Sequence, residues 1–280
     1  MTTVLLPLDG STFAERALPA AAWLAGRLRA DIFLISAIDS EDQRAAREDY
    51  LTEVADRLSS FELGETVVVP WSVVVDRDPA GAIHESRLRL GDAVVCLATH
   101  GRGRSAALIG SVAVEVVARG HDPLILVGPL VADPVVGTGV VACADEQPES
   151  ARLVLRAVEW GTRLDEPVVA IVVAEPVPPP VRDRPAHRLF GPDGDVDAYV
   201  AALIAPVLAA NPLADLRGTV VWDPISPSDG VISYVGDQPA ALVVVGSRLH
   251  HRLGHPVFGH TSAAIVHSCP SPVLVTPAAR

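Results

Sequence analysis

Lysine is absent from this chain: all 22 basic residues are arginine. That absence excludes a Walker-type lysine on a β/γ-phosphate, a kinase strand lysine and a Schiff-base nucleophile. Basic charge is also scarce overall. The formal charge of −12 lacks the basic face that counterion release requires, so nucleic-acid and anionic-membrane binding are not expected. Aromatic residues make up only 4%, leaving Ala and Val to fill the core. There are three cysteines, Cys96, Cys143 and Cys269, with no CxxC spacing, which suits buried thiols in a reducing compartment. No apolar run reaches the ~18 residues of a membrane span. Met1-Thr2-Thr3 leads directly into a strand, without the basic and apolar regions of a signal peptide. A cytoplasmic protein is expected.

What is present is a repeat. Val4-Leu5-Leu6-Pro7-Leu8-Asp9 and Val140-Val141-Ala142-Cys143-Ala144-Asp145 are both apolar strands ending in Asp, each leading into an amphipathic helix carrying Trp23 or Trp160. Asp92–Leu97 matches Ala240–Val245, and each half closes on a short apolar strand after Pro123 or Pro272. Asp9 and Asp145 are 136 residues apart, Pro123 and Pro272 149. The second copy has therefore gained about a dozen residues, and the Pro-rich stretch from Pro176 to Pro192 is the natural place for them. A linker at Gly128–Gly137 separates a first domain, 1–130, from a second, 137–280.

Periodicity in the first copy predicts strands near 3–8, 31–37, 66–75, 93–98 and 123–127, with helices near 12–28, 41–61, 79–90 and 111–120. Thr12-x-x-Glu15 reads as a capping box for the first helix. Alternating strands and helices with continuous Val/Leu/Ile runs predict an α/β fold: two tandem, doubly wound, five-stranded parallel sheets. In such sheets ligands bind outside the strand carboxyl ends at the switch in strand order. Asp9 and the loop after Leu97 belong on that rim.

That loop reads Ala98-Thr99-His100-Gly101-Arg102-Gly103-Arg104-Ser105-Ala106-Ala107-Leu108-Ile109-Gly110-Ser111. Gly101, Gly103 and Gly110 permit close backbone approach to an anion. Arg102 and Arg104 add charge, and Ser111 opens the next helix where the macrodipole favours phosphate. The second copy runs Gly246-Ser247-Arg248-Leu249 through Gly259-His260-Thr261. Leu249 stands for Gly101 and His260 for Ser111, so this loop should bind phosphate worse.

The strand ending Pro7-x-Asp9, the glycine loop, the Gly110-Ser111 helix start and the closing strand together resemble the universal stress protein family. The tandem form is the one common in actinobacteria. The resemblance covers essentially the whole chain and implies a Rossmann-like sheet of the adenine nucleotide α-hydrolase type. Nucleotide-binding members carry G-x2-G-x9-G-(S/T). Copy one has Ala98-x2-Gly101-x8-Gly110-Ser111, and copy two Gly246-x2-Leu249-x9-Gly259-His260; each departs from the pattern. By resemblance, Asp9 and the backbone near Ala37 would face adenine of ATP or a related nucleotide. Gly101, Arg102, Gly103, Gly110, Ser111 and Val112 would hold ribose and phosphate. Asp145, Val173, Gly246, Gly259 and Thr261 are the weaker equivalents. The family's edge-strand pairing implies Pro123–Val127 against Pro272–Thr276, with further homodimerisation left open.

Plainer readings compete. An Asp between a strand and a helix is commonly a cap, which applies to Asp9 equally and to Asp145 more strongly. His250, His251, His255 and His260 have no regular ligand spacing and no Cys or carboxylate within their loop, so no metal is expected beyond nucleotide-associated magnesium. His84 and His267 read as ordinary helix residues. No GxSxG, HExxH or P-loop is present, so no catalytic residue is assigned and slow ATP hydrolysis is the most to be expected. Three readings remain: a stress-responsive regulator binding adenine nucleotide mainly in copy one, a nucleotide-free scaffold, and, more weakly, an enzyme of adenylate chemistry.

Overall fold

The computed structural model describes residues 2–59, 69–99, 109–119, 124–131, 137–147, 149–175, 195–249, 256–257 and 259–277. The first copy contains β1 (Thr3–Pro7), α1 (Leu18–Leu28), β2 (Asp31–Ile38), α2 (Arg44–Ser59), β3 (Trp71–Val75), α3 (Pro79–Leu90), β4 (Ala93–Ala98), α4 (Ser111–Arg119) and β5 (Leu124–Val127). The second contains β6 (Val140–Ala144), α5 (Ser150–Leu164), β7 (Val168–Ala174), α6 (Val196–Ala210), β8 (Leu216–Trp222), α7 (Pro227–Asp237), β9 (Leu242–Leu249), β10 (Pro256–Val257), α8 (His260–Ser268) and β11 (Val273–Pro277).

Each copy builds a parallel five-stranded sheet, in the order β3-β2-β1-β4-β5 and β8-β7-β6-β9-β11. The copies join where β5 pairs antiparallel with β11, setting Leu126 opposite Val273 and Ile125 opposite Leu274. One sheet therefore runs through the chain, and two strands that would otherwise be open edges cover each other. Alternation along each strand sends residues to opposite faces. Val4, Leu6, Ile125, Val140 and Leu274 pack with α1, α2, α5 and α6; Leu5, Leu126, Val141 and Val273 pack with α3, α4, α7 and α8. Both apolar layers cross the junction between copies without interruption.

Polar ties reinforce the junction. Glu166, whose side chain is 8% exposed, pairs with Arg27 of copy one and accepts the Gly139 N–H at 2.7 Å. Arg163 stacks on the Trp160 ring at 4.7 Å and donates to the Thr2 hydroxyl at 3.3 Å. Arg16 donates to the Pro129 carbonyl at 3.1 Å. The first helix of each copy ends on a left-handed, non-glycine residue, Arg29 and Asp165, separated by the same 136 residues as Asp9 and Asp145. On that offset Trp160 answers to Leu24, both 1% exposed, so the two tryptophans are neighbours in register and not equivalents.

The expected capping box does not form. Ser11, one residue earlier than Thr12, accepts the Ala14 N–H at 3.2 Å, and Glu15 turns away to pair with Arg57 at 2.8 Å. A 3-10 turn, Ala14–Ala17, then leads into α1. The expected helix start near 41 likewise begins as a 3-10 turn, Glu41–Gln43.

Candidate functional site

Strand order reverses between β1 and β4 in copy one and between β6 and β9 in copy two. The crevice beyond these strand ends is where an open α/β sheet takes ligands. In copy one the rim is fixed from beneath: the Leu8 N–H donates to the Ile35 carbonyl at 2.8 Å, and the buried Ser36 hydroxyl to the Leu8 carbonyl at 2.6 Å. Because Pro7 lies opposite Ile35, Asp9 stands level with Ala37 of β2. Asp9 is half-buried, and its carboxylate accepts the Ser11 N–H at 2.9 Å. Gly10 makes the turn with φ +79, a conformation open to glycine at little cost.

Across the crevice, Thr99 succeeds β4 and is 1% exposed. Its N–H donates to Val127 and its carbonyl accepts the Gly110 N–H at 2.7 Å. The two ends of the glycine loop are thus tied together, and the Gly110 N–H is engaged by the chain itself. The Gly110 carbonyl accepts the Val114 N–H at 3.1 Å, opening α4, with Ser111 exposed at its first position and Val112 half-buried. Gly101, Arg102, Gly103 and Arg104 lie outside the described residues, as do His250, His251 and His255.

Copy two repeats the frame with different contents. Ala144 lies opposite Val172, which sets Asp145 level with Val173. The Asp145 carboxylate accepts the Ser150 hydroxyl at 2.7 Å and the Gln147 N–H at 3.1 Å, and the Asp145 N–H donates to Ser150 Oγ at 2.9 Å. Copy one has Ala14 at the place of Ser150, which offers no hydroxyl. Glu146 replaces Gly10, and burial together with Asp145 raises its pKa. Two adjacent carboxyl groups on this rim oppose a polyanion. The Gly246 carbonyl accepts the Ser262 hydroxyl at 2.9 Å. Gly259 caps α8 in an extended conformation, with His260 and Thr261 exposed after it. Val173 packs beneath Gly230 of α7, where a Cβ would lie 2.6 Å from its Cγ1.

The model of the universal stress protein family matches residues 1–128 and 139–277. The chain belongs to this family. Its fold is also similar to that of a universal stress protein from Archaeoglobus fulgidus DSM 4304, at 17% identity over 99% of this chain and 98% of that one, TM-score 0.70. A protein of unknown function from Pseudomonas aeruginosa PAO1 matches at 15% identity, 99% and 92% coverage and TM-score 0.66. A further protein, from P. aeruginosa UCBPP-PA14, gives 15%, 98%, 92% and 0.65. No curated protein matches at a significant level.

The structure of this universal stress protein adds residues that the sequence pattern does not single out. Tyr199 of α6 reaches over the second rim, its hydroxyl donating to the Asp145 carbonyl at 2.6 Å. Burial, then Asp145 and Glu146, raise its pKa. In copy one Tyr50 of α2 holds the matching place. Its pKa is pushed well up by burial, then by the charges of Glu15 and Asp9, and Arg47 stacks over its ring at 5.6 Å. Tyr50 and Tyr199 are 149 residues apart, the spacing of Pro123 and Pro272. That coincidence was the available signal. Among the described residues no group of three His, Cys, Asp or Glu side chains gathers as a metal site would require.

Proposed function

We propose that this universal stress protein is a stress-responsive regulator that binds an adenine nucleotide of the ATP or AMP type in copy one. The observation that carries this reading is the juxtaposition at the switch point: Asp9 level with Ala37 on one side, and the Gly110–Val112 start of α4 on the other. Asp9 and the Ala37 backbone offer the acceptor and donor groups that an adenine edge needs. The α4 N-terminus offers the positive end of a helix dipole to ribose and phosphate, with Gly101, Arg102 and Gly103 completing the loop. In copy two Asp145, Val173, Gly246, Gly259 and Thr261 form a weaker site, because Asp145 is tied to Ser150 and Glu146 adds negative charge. Enzymatic turnover is no part of this reading, beyond slow ATP hydrolysis. The protein acts in the cytoplasm, with magnesium present only as the nucleotide's companion.

Titration calorimetry with ATP, ADP, AMP and cyclic AMP tests it, alongside adenine absorbance in the supernatant of heat-denatured protein. One strong site per chain, weakened by Asp9→Asn and by Ser111→Ala, is expected. Absence of binding at millimolar nucleotide would leave the scaffold reading in possession, and binding indifferent to both substitutions would put the site elsewhere.

A further inference from the structure

The fourth strands of the two copies differ in extent, Ala93–Ala98 in β4 and Leu242–Leu249 in β9. Ala98 ends β4 opposite Val127, and Gly246 holds the matching place opposite Thr276. There β4 stops, but β9 continues through Ser247, Arg248 and Leu249 and returns as β10, with Leu249 opposite Pro256 and Arg248 opposite Val257. An anion nest needs consecutive N–H groups converging on one point. An antiparallel ladder turns alternate residues towards a partner strand instead. The same backbone cannot serve both ends, and a leucine where copy one has Gly101 favours the extended form.

The returning strand does not pack on its own copy alone. β10 lies against α4 of copy one, the helix whose first residue is Ser111. α4 is also held to α3, where Arg119 donates to Asp78 at 2.5 Å, and Ala113, Val116 and Val117 bury its inner face.

We propose that the β9–β10 hairpin is an interdomain brace: copy two has given up a phosphate loop and uses that stretch of backbone to hold α4 of copy one in place. Its partner is thus a helix of the same chain, and nucleotide affinity in copy one depends on copy two. Only that last consequence rests on copy one being a nucleotide site.

Hydrogen exchange on the full chain without ligand tests the brace directly. Leu249→Gly combined with Val257→Gly weakens the ladder, and Val257→Pro breaks it through the fixed proline φ. Both variants should speed exchange in α4 by about tenfold or more, while β1 and β2 keep their protection and so report an intact fold. Unchanged α4 exchange in a variant whose residues 248–249 have lost protection would overturn the proposal. So would a wild-type hairpin with no protection to lose. Calorimetry with AMP then reads the coupling, as an affinity about fivefold or more weaker in the variants. If α4 loosens and AMP binds neither protein, the brace stands and the nucleotide reading fails.

Discussion

Gly128→Ala is the sharpest probe of the junction between the copies. An added Cβ would lie 2.3 Å from the carbonyl oxygen of Val266 in α8 and 3.5 Å from its carbon, whereas ordinary contact begins near 3.4 Å. The two backbones must therefore separate by about 1 Å. Val266 is fully buried, so α8 cannot swing outward without loosening the layer it shares with β5 and β11. Overpacking of this kind costs about 1–3 kcal/mol. Gly128 has no positive φ, so alanine adds no backbone strain and recovers about 0.4–1 kcal/mol by restricting the unfolded chain. The balance is a loss of about 1–2 kcal/mol, or roughly 2–6 °C in Tm for a chain of this length. Gly236→Ala is the internal control: this glycine sits inside α7 with nothing within 4 Å of its would-be Cβ. There alanine should stabilise by about 0.5–1 kcal/mol. Scanning calorimetry on both variants should move Tm in opposite directions. A Gly128→Ala protein as stable as wild type would mean that copy two does not seat on β5 as described.

The junction also predicts a single cooperative unfolding transition, because both apolar layers cross it; two separated calorimetric peaks would contradict that. Glu166→Ala should lower the urea midpoint more than Arg27→Ala does. It strips both the ion pair and the acceptor of the Gly139 N–H, worth about 1–3 kcal/mol when such a donor is orphaned, while Arg27 is 39% exposed and adds little through its charge. Arg119 and the Gly81 N–H hold the Asp78 carboxyl below its ordinary pKa of 3.8. The stabilisation it gives is therefore present above that value and fades as pH falls through the lowered one. Urea titrations of wild type and Asp78→Asn should differ at pH 7 and converge under acid, and a difference that persists there would refute the assignment. Burial pushes the Cys96 and Cys269 thiols to about 12 and about 11 and raises Cys143 further. Iodoacetamide at pH 8 should label all three only after denaturation.

The fold was legible because its signals are local and repeated. Val4–Leu6 and Val94–Leu97 are apolar runs too short for helices and apolar on both sides, which is what a strand covered on two faces requires. The β5–β11 pairing was implied by the resemblance to the universal stress protein family, and it covers two strands that would otherwise be bare. The errors came where one side chain had a choice of neighbours. Thr12 and Glu15 have the spacing of a capping box, yet Ser11 is better placed to take the Ala14 N–H, and Arg57, far along the chain, claims Glu15. Trp23 and Trp160 catch the eye as a pair, although burial matches Trp160 with Leu24. Tyr50 and Tyr199 are hidden in the sequence for a related reason: a helix residue facing a strand end is recognised only when the register between them is known. The hairpin after β9 was hidden because Leu249 reads equally well as a damaged glycine and as a strand residue, and its ladder partners lie beyond the loop.

The divergence of the copies then has a common physical sense. At three places where copy one has a small or flexible residue, copy two has one that engages its own chain or adds charge. Ala14 becomes Ser150, whose hydroxyl occupies Asp145. Gly10 becomes Glu146, which adds a second carboxyl to the rim. Gly101 becomes Leu249, inside a ladder. Tyr199 closes over the Asp145 carbonyl. Internal satisfaction of polar groups stabilises a rim and withdraws those groups from a ligand, since a donor or acceptor already paired offers little gain on binding. Selection for a firm partner and selection for an open site therefore pull the same residues in opposite directions. A tandem chain escapes that conflict by assigning one demand to each copy, provided the two are mechanically joined, and β5–β11, Glu166 and the brace on α4 supply the joint.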